Sequence, residues 1–431
     1  MNHIHDRIDI LLGALASPKL GNIDLSLERI ERLLAAFGNP QDTLPPVVHV
    51  AGTNGKGSLL AYLTAILMSS GYKVHRFISP HLVSFNERIM LDGKEISDEY
   101  LLELLERVSA YSERYPVTFF EANTALAFLA FAENKADIIL LETGLGGRLD
   151  ATNTVRSPML TAITPVSMDH SEFLGNSVSA IAGEKAGIIK KNVPCVVGRH
   201  MPEASKVIET AAHKLNAPLY RLNSEWQVRE EGEDFLYISA KRKAHFPLPN
   251  LAGKHQVDNA ATAIACVDLL DGFTIADEHI AYGITHAAWK ARLQHITKGS
   301  LIKILPKNAE LWLDGGHNPG AGEVLADWIK TRKKPVHLIC GMLRNKDARQ
   351  FLAPFAPYIK SFTAIAIEGS QSHDPAQLSE IAKESGIKSS IAAGAKEAMN
   401  SIVKSEENDS IILVCGSLYL AGNILRQNSR P

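Results

Sequence analysis

From Val47 onward the chain alternates short apolar runs rich in β-branched residues with longer amphipathic stretches, the pattern of strand–helix units around a mainly parallel sheet. Strands are predicted over residues 73–78, 137–141, 159–163 and 195–198, and helices over 59–68, 98–109 and 124–133. The stretch 219–249 is less regular: Phe235, Tyr237 and Phe246 alternate with polar residues and predict a small antiparallel excursion beside the main sheet. A second alternating series begins near Ser300, with strands predicted over 301–305, 310–313, 337–340, 362–367 and 411–415. The charge-rich segment 289–298 separates the two series. The pattern therefore predicts an α/β protein of two domains, residues 1–293 and a smaller α/β domain over 297–431, with a ligand cleft expected between them.

A length of 431 residues with 45% hydrophobic positions supports two cores. The formal net charge of -2 and the lack of a long basic run exclude a nucleic-acid or membrane surface as the main partner, and small anionic ligands fit better. Cys195, Cys266, Cys340 and Cys415 are scattered without metal-ligand spacing and predict packed thiols in a reducing, cytoplasmic setting. No run is long and apolar enough for a membrane span. The amino terminus has no cationic region ahead of an apolar core, so no export is expected.

The chemistry starts at Val47-Val48-His49-Val50-Ala51-Gly52-Thr53-Asn54-Gly55-Lys56-Gly57-Ser58, a strand feeding a glycine-rich loop and then a helix. Such a loop turns its backbone N–H groups and the helix N-terminus towards phosphate oxygens, Lys56 neutralises the β- and γ-phosphates, and Ser58 reaches magnesium. Only Thr53 and Asn54 separate Gly52 from Gly55, where the common phosphate loop has four residues before Gly-Lys, so this is a variant loop.

Ligands of open α/β sheets bind outside the carboxyl ends of the strands, which gives weight to polar residues that follow apolar runs. Glu142 closes the run 137–141 and is a metal candidate, although an ordinary solvated acid would have the same spacing. His170, after Asp169, fits metal binding, proton transfer or simple packing. Gly144-Leu145-Gly146-Gly147-Arg148-Leu149 carries leucine where the third glycine of a dinucleotide fingerprint belongs, which rejects that reading. In the second series, the runs ending at Leu313 and Val414 lead into Asp314-Gly315-Gly316-His317-Asn318-Pro319 and Cys415-Gly416-Ser417. Lys185 lies in a mostly apolar stretch; burial there would free its amine for chemistry, and a helix surface would leave it an ordinary cation.

Taken together, these segments resemble the folylpolyglutamate synthase and dihydrofolate synthase family, a branch of the Mur-type ATP-dependent amide ligases. The markers are Gly52 to Ser58, Ser79-Pro80-His81-Leu82 with Asn86-Glu87-Arg88-Ile89, Gly144 to Asn153, Glu184-Lys185-Ala186-Gly187-Ile188-Ile189, and Asp314 to Pro319. Ile23-Asp24-Leu25 with Leu27-Glu28-Arg29 resembles the family's amino-terminal segment. The resemblance implies a phosphate-loop ATPase domain of Mur-ligase type with a mainly parallel sheet, a smaller Rossmann-like carboxyl-terminal domain, and an enzyme that adds L-glutamate to dihydropteroate and to reduced folates through an acyl phosphate. Asn54, Gly55, Lys56, Gly57 and Ser58 would hold ATP, with Asn259, Arg292 and Asp314 completing the nucleotide site. Ser79 and Glu142 would bind one magnesium, and His170 with a carbamylated Lys185 a second; Lys56, Lys185 and His170 would serve catalysis. Thr118, Phe120, Leu149, Asp150 and Ala151 match the pterin-binding positions, with Phe120 stacking on the ring and Asp150 accepting from its amino groups. His317 and Ser417 are expected at the incoming glutamate.

The chain departs from the family pattern at Thr143, where valine is common, at Lys290-Ala291, where Pro-Gly is common, and at Gly316, where alanine is common. None of these removes a reactive group. Tail extension alone is an alternative within the family. A peptidoglycan-type Mur ligase fits poorly, because only about 50 residues precede the loop. An ATP-switched regulator would share the loop without ligation. A monomer is expected from the resemblance.

Overall fold

The computed structural model describes residues 2–16, 25–405 and 409–430; Ile23 and Asp24 of the amino-terminal marker lie outside them. Among the described residues the strands form sheets of eight, three and six. The first contains β1 (Val47–Ala51), β2 (Val74–Phe77), β3 (Ile89–Leu91), β4 (Lys94–Glu95), β5 (Ile138–Glu142), β6 (Leu160–Ile163), β7 (Cys195–Val197) and β8 (Leu219–Arg221) in the order β4-β3-β2-β5-β1-β6-β7-β8. Neighbours from β2 to β8 are parallel, while β3 and β4 extend one edge antiparallel. Val50 pairs with Glu142 and Ala51 with Ile163, so the carboxyl ends of β5, β1 and β6 lie level. That register sets Glu142 against Val50, two residues before Gly52, and brings Thr164 beside Gly52, at the end where a parallel sheet presents its ligands.

The antiparallel excursion comprises β9 (Trp226–Glu231), β10 (Asp234–Ser239) and β11 (Lys243–Pro247). Trp226, Phe235, Tyr237 and Phe246 are its buried residues. The start of the predicted stretch differs: Leu219–Arg221 pairs parallel with Cys195–Val197 and belongs to the main sheet. The third sheet contains β12 (Gln294–Ile296), β13 (Glu310–Leu313), β14 (Val336–Cys340), β15 (Ser361–Ala364), β16 (Ser389–Ile391) and β17 (Ile411–Cys415), in the order β12-β13-β17-β14-β15-β16. All its pairs are parallel except β12 with β13.

The strand predicted over 301–305 is absent; Ile302–Ile304 is a single 3-10 turn. Only Leu301 of this apolar run is buried. Its backbone N–H is taken by Asn428 Oδ1 at 3.0 Å rather than by a neighbouring strand. Conversely, β12 forms inside the segment 289–298, where charge masked a short pairing strand.

The chain divides into two compact units, one of Met1–Val166, His170–Asn250 and Val257–Ala287, the other of Ser167–Asp169, Leu251–Gln256 and Ala288–Pro431. In the first, the helix Phe119–Glu133 shows why a helix apolar on all sides forms: Ala122, Leu126, Phe128, Leu129 and Phe131 are all buried in its core. Burying a large side chain there contributes about 2 kcal/mol. Its start is fixed by a capping box, Thr118 Oγ1 accepting from Glu121 N while Glu121 Oε2 accepts from Thr118 N. The second unit packs Phe351, Phe355, Phe362 and Leu413 about its own sheet. Cys195, Cys266, Cys340 and Cys415 are buried free thiols, and no described helix is long and apolar enough to cross a membrane.

Candidate active site

All five residues of β1 are buried, so the chain is held rigidly until it reaches the glycine loop. The helix Lys56–Ser69 then begins at Gly55, whose φ of 87° is a left-handed conformation costly to other residues. A Cβ there would also lie 2.8 Å from Asn259 Oδ1, which shows how closely the Asn259 side chain covers the loop. Thr53 N and Asn54 N both donate to Pro165 O, at 2.9 and 3.1 Å, and fasten the loop to the segment after β6. The first-turn amides of Lys56, Gly57 and Ser58 have no intrahelical acceptors, and no side chain caps the helix, which leaves its positive end suited to an anion.

Two ammonium groups meet at this loop. Lys56 Nζ and Lys185 Nζ each donate to Gly52 O at 3.0 Å. Lys185 is 5% exposed, which settles its environment: the helix Val178–Ala186 turns it into the protein rather than towards solvent. Glu142, also 5% exposed, places Oε1 3.8 Å from Lys56 Nζ, and its Oε2 accepts from Ser79 N at 3.4 Å. Lys56, Lys185, Glu142, Ser79 and Asn259 are thus assembled around Gly52–Gly55 by the level ends of β1 and β5 and by three helices. His170 stands apart in kind: it precedes the short helix Ser171–Leu174 and holds a left-handed φ of 51°.

Among the described residues no three His, Cys, Asp or Glu side chains gather as a self-sufficient metal site. The Glu142 carboxylate with the Ser79 hydroxyl is an oxygen-only set, which suits a hard cation that takes one or two protein oxygens and completes its shell from phosphates and water.

The expected pterin residues form a second neighbourhood. Phe120 packs against Gly144, where a Cβ would lie 2.3 Å from the ring, and its ring centroid is 6.1 Å from that of Phe77. Asp150, 2% exposed, accepts from Gly144 N at 2.9 Å, Leu145 N at 2.8 Å, Thr152 N at 3.0 Å and the Thr152 hydroxyl. Burial raises its pKa, and those four donors oppose the rise. The carboxylate expected to face a ligand thus also holds its own loop together. Thr118 is the cap described above, Ala151 is buried, and Leu149 is half-buried.

In the second unit Asp314 follows β13 and is 7% exposed; Oδ2 accepts from Leu293 N at 2.7 Å and Oδ1 from Gly316 N at 2.6 Å. Burial raises its pKa against the pull of Arg292 and these amides. Ala291, where the family commonly has glycine, is buried with φ 55°. An L-residue there costs about 1–2 kcal/mol, partly offset by the lower chain entropy of alanine. Ala291→Gly is therefore expected to stabilise the protein by about 1 kcal/mol, read as a higher denaturant midpoint at unchanged slope; a lower midpoint would contradict the strain argument.

His317 Nδ1 lies 2.8 Å from Gly315 O and Nε2 3.7 Å from Asp169 Oδ2. Asp169 also accepts from Asn318 Nδ2 at 3.2 Å and from Lys346 Nζ. Ser417 is 2% exposed and caps the helix Leu418–Ser429, its Oγ accepting from Tyr419 N. Sequence reasoning missed Lys346, which lies in the loop after β14 (Val336–Cys340) and not directly at its end as Asp314 does after β13, so the strand-end rule does not single it out.

A family model described as the Mur ligase middle domain matches residues 50–267, and one described as the dihydrofolate synthetase C-terminal domain matches 298–427. The dihydrofolate synthase/folylpolyglutamate synthase of Bacillus subtilis is 34% identical over 428 residues, covering 93% of this chain and 94% of its own. The chain belongs to the dihydrofolate synthase/folylpolyglutamate synthase family of Mur ligases. The Escherichia coli member is 31% identical over 94% of this chain and 91% of its own. The family's solved structures share the fold: Escherichia coli FolC in complex with DHPP and ADP superposes with a TM-score of 0.88 at 30% identity, covering 97% of each chain. A bifunctional folylpolyglutamate synthase/dihydrofolate synthase with Mn, AMPPNP and L-glutamate bound gives 0.85 at 29% identity over 97% of each. Family membership over this length rules against a reading of the loop as an unrelated ATP switch.

Proposed function

We propose that Lys56, the first-turn amides of the helix Lys56–Ser69, Glu142 and Ser79 form the phosphoryl-transfer site of an ATP-dependent ligase that adds L-glutamate to folates. The observation that carries this reading is the convergence of Lys56 and Lys185 on Gly52 O at the end of β1, next to a buried carboxylate. In this reading a folate carboxylate attacks the γ-phosphorus of ATP, ADP leaves, and the amine of glutamate displaces phosphate from the acyl phosphate. Lys56 and the helix amides stabilise the charge that moves onto the phosphoryl oxygens. Glu142 and Ser79 hold the divalent cation; when bound, it neutralises phosphate charge.

Two ammonium groups on one carbonyl repel each other in a poorly solvated site. A carbamate on Lys185 would replace that repulsion with attraction and supply, with His170, oxygen and nitrogen donors for a second cation. Asn259, Arg292 and Asp314 are proposed for the nucleotide, with Thr118, Phe120, Leu149, Asp150 and Ala151 for the pterin and His317 and Ser417 for glutamate. The relatives named for both activities, and the DHPP and L-glutamate complexes, favour dihydropteroate as well as reduced folates as acceptors. Four buried free thiols suit a reducing cytoplasm, and the enzyme is proposed to act as a monomer. The test is ADP release that requires glutamate and a folate acceptor together; release without either would overturn the reading.

A further inference from the structure

The buried residues that the phosphoryl-transfer reading leaves unused include an imidazole in the central strand. His49 lies in β1, three residues before Gly52, and is fully buried. Its Nε2 is 2.8 Å from Thr152 Oγ1. The Thr152 hydroxyl in turn meets Asp150 Oδ1, while Asp150 Oδ2 accepts from Gly144 N and Leu145 N. Three buried side chains therefore connect the strand that carries the phosphate loop to the loop that follows Glu142.

The hydrogen-bond pattern orients the protons of this chain. Each Asp150 oxygen takes two donors, Oδ2 from Gly144 N and Leu145 N and Oδ1 from Thr152 N and the Thr152 hydroxyl, an arrangement that suits an acceptor-only carboxylate, so the Thr152 proton points to Asp150. Thr152 Oγ1 must then accept from His49, which makes Nε2 the protonated nitrogen. Nδ1 is left as a bare lone pair, and it has no hydrogen-bond partner among the described residues. Burial, helped by Lys190, pushes the His49 pKa down to about 3, so the ring stays neutral and keeps this tautomer. A donor at the head of such a chain polarises each hydrogen bond after it and narrows the orientations open to the last acceptor.

We propose that His49 is a positioning residue for the folate acceptor: its Nε2–H, acting through Thr152, fixes the Asp150 carboxylate and with it the backbone of Gly144 and Leu145. The inference rests on the proposal that the loop from Gly144 to Ala151 faces the acceptor. The side-chain hydrogen bond of His49 leads through Thr152 to Asp150, so its loss acts first on the loop of Gly144 and Leu145.

The test compares His49→Leu, which removes the donor, with His49→Gln, whose amide restores an N–H near the position of Nε2. His49→Leu is expected to raise KM for the folate acceptor about tenfold, with KM for ATP within about twofold, and to speed amide exchange at Gly144 and Leu145 about tenfold. His49→Gln is expected to restore both readouts to within about twofold of the unmodified protein. Unchanged acceptor KM and unchanged exchange in His49→Leu would overturn the inference, as would a His49→Gln variant as impaired as His49→Leu. The exchange measurement needs no turnover: if the unmodified enzyme showed no folate-dependent activity, the functional proposal would fail while exchange at these two amides still decided the relay.

Discussion

Lys56→Ala is expected to lower kcat about a thousandfold, with the folate KM within a few-fold and the melting temperature nearly unchanged. A thousandfold corresponds to about 4 kcal/mol of transition-state stabilisation, in the range a single preorganised charged donor supplies to phosphoryl transfer. The geometry requires a loss on this scale. Lys56 sits at the first position of its helix, 15% exposed, held between Gly52 O and Glu142, so its ammonium is already placed and little reorganisation is needed as charge develops. Stability changes little because the side chain spans loop and helix without filling the core. Arginine should not substitute, since its planar fork cannot reproduce a point charge in the space between Gly52 O and Glu142. Steady-state kinetics beside a thermal melt decides it; a kcat within tenfold of the unmodified enzyme would remove Lys56 from the phosphoryl-transfer step.

Glu142→Ala is expected to cost at least a hundredfold in kcat and, unlike Lys56→Ala, to raise the half-saturating magnesium concentration about tenfold or more. The distinction follows from the atoms: Glu142 is the buried carboxylate at the level ends of β5 and β1, and its loss deletes the hard oxygen donor of the site. It also leaves Lys56 without the carboxylate 3.8 Å away and Ser79 N without its Glu142 acceptor. A magnesium titration of both variants separates the two roles. An unchanged magnesium requirement in Glu142→Ala would show that Glu142 only orients Lys56.

Much of this site is legible in the sequence because its parts lie at strand ends. The run ending at Glu142 and the run feeding Gly52 need only period and composition to place them, and the parallel register then sets them side by side. Lys185 is different. Its residues alone make a helix-surface lysine the default, the resemblance argues for a buried one, and the packing of the helix Val178–Ala186 shows the amine pointing at Gly52 O. Asp150 is singled out only by the resemblance, and its role as the acceptor of four hydrogen bonds from its own loop depends on local backbone geometry that the sequence does not show. The run 301–305 misled because apolar alternation marks a strand only where a neighbour offers hydrogen bonds, and here Asn428 takes that place. His49 carried no signal at all: inside an apolar strand it looks like any packed residue until the fold brings Thr152 to its ring.

The most direct test of the central claim is ADP release by the purified protein with ATP, magnesium and glutamate, comparing dihydropteroate with tetrahydrofolate as acceptor and omitting glutamate or acceptor in turn. The proposed site predicts turnover with both acceptors and none when either glutamate or acceptor is left out. Turnover with tetrahydrofolate alone would contradict the dihydropteroate assignments of Thr118 and Asp150, and ADP release that ignores glutamate would contradict the ligase itself.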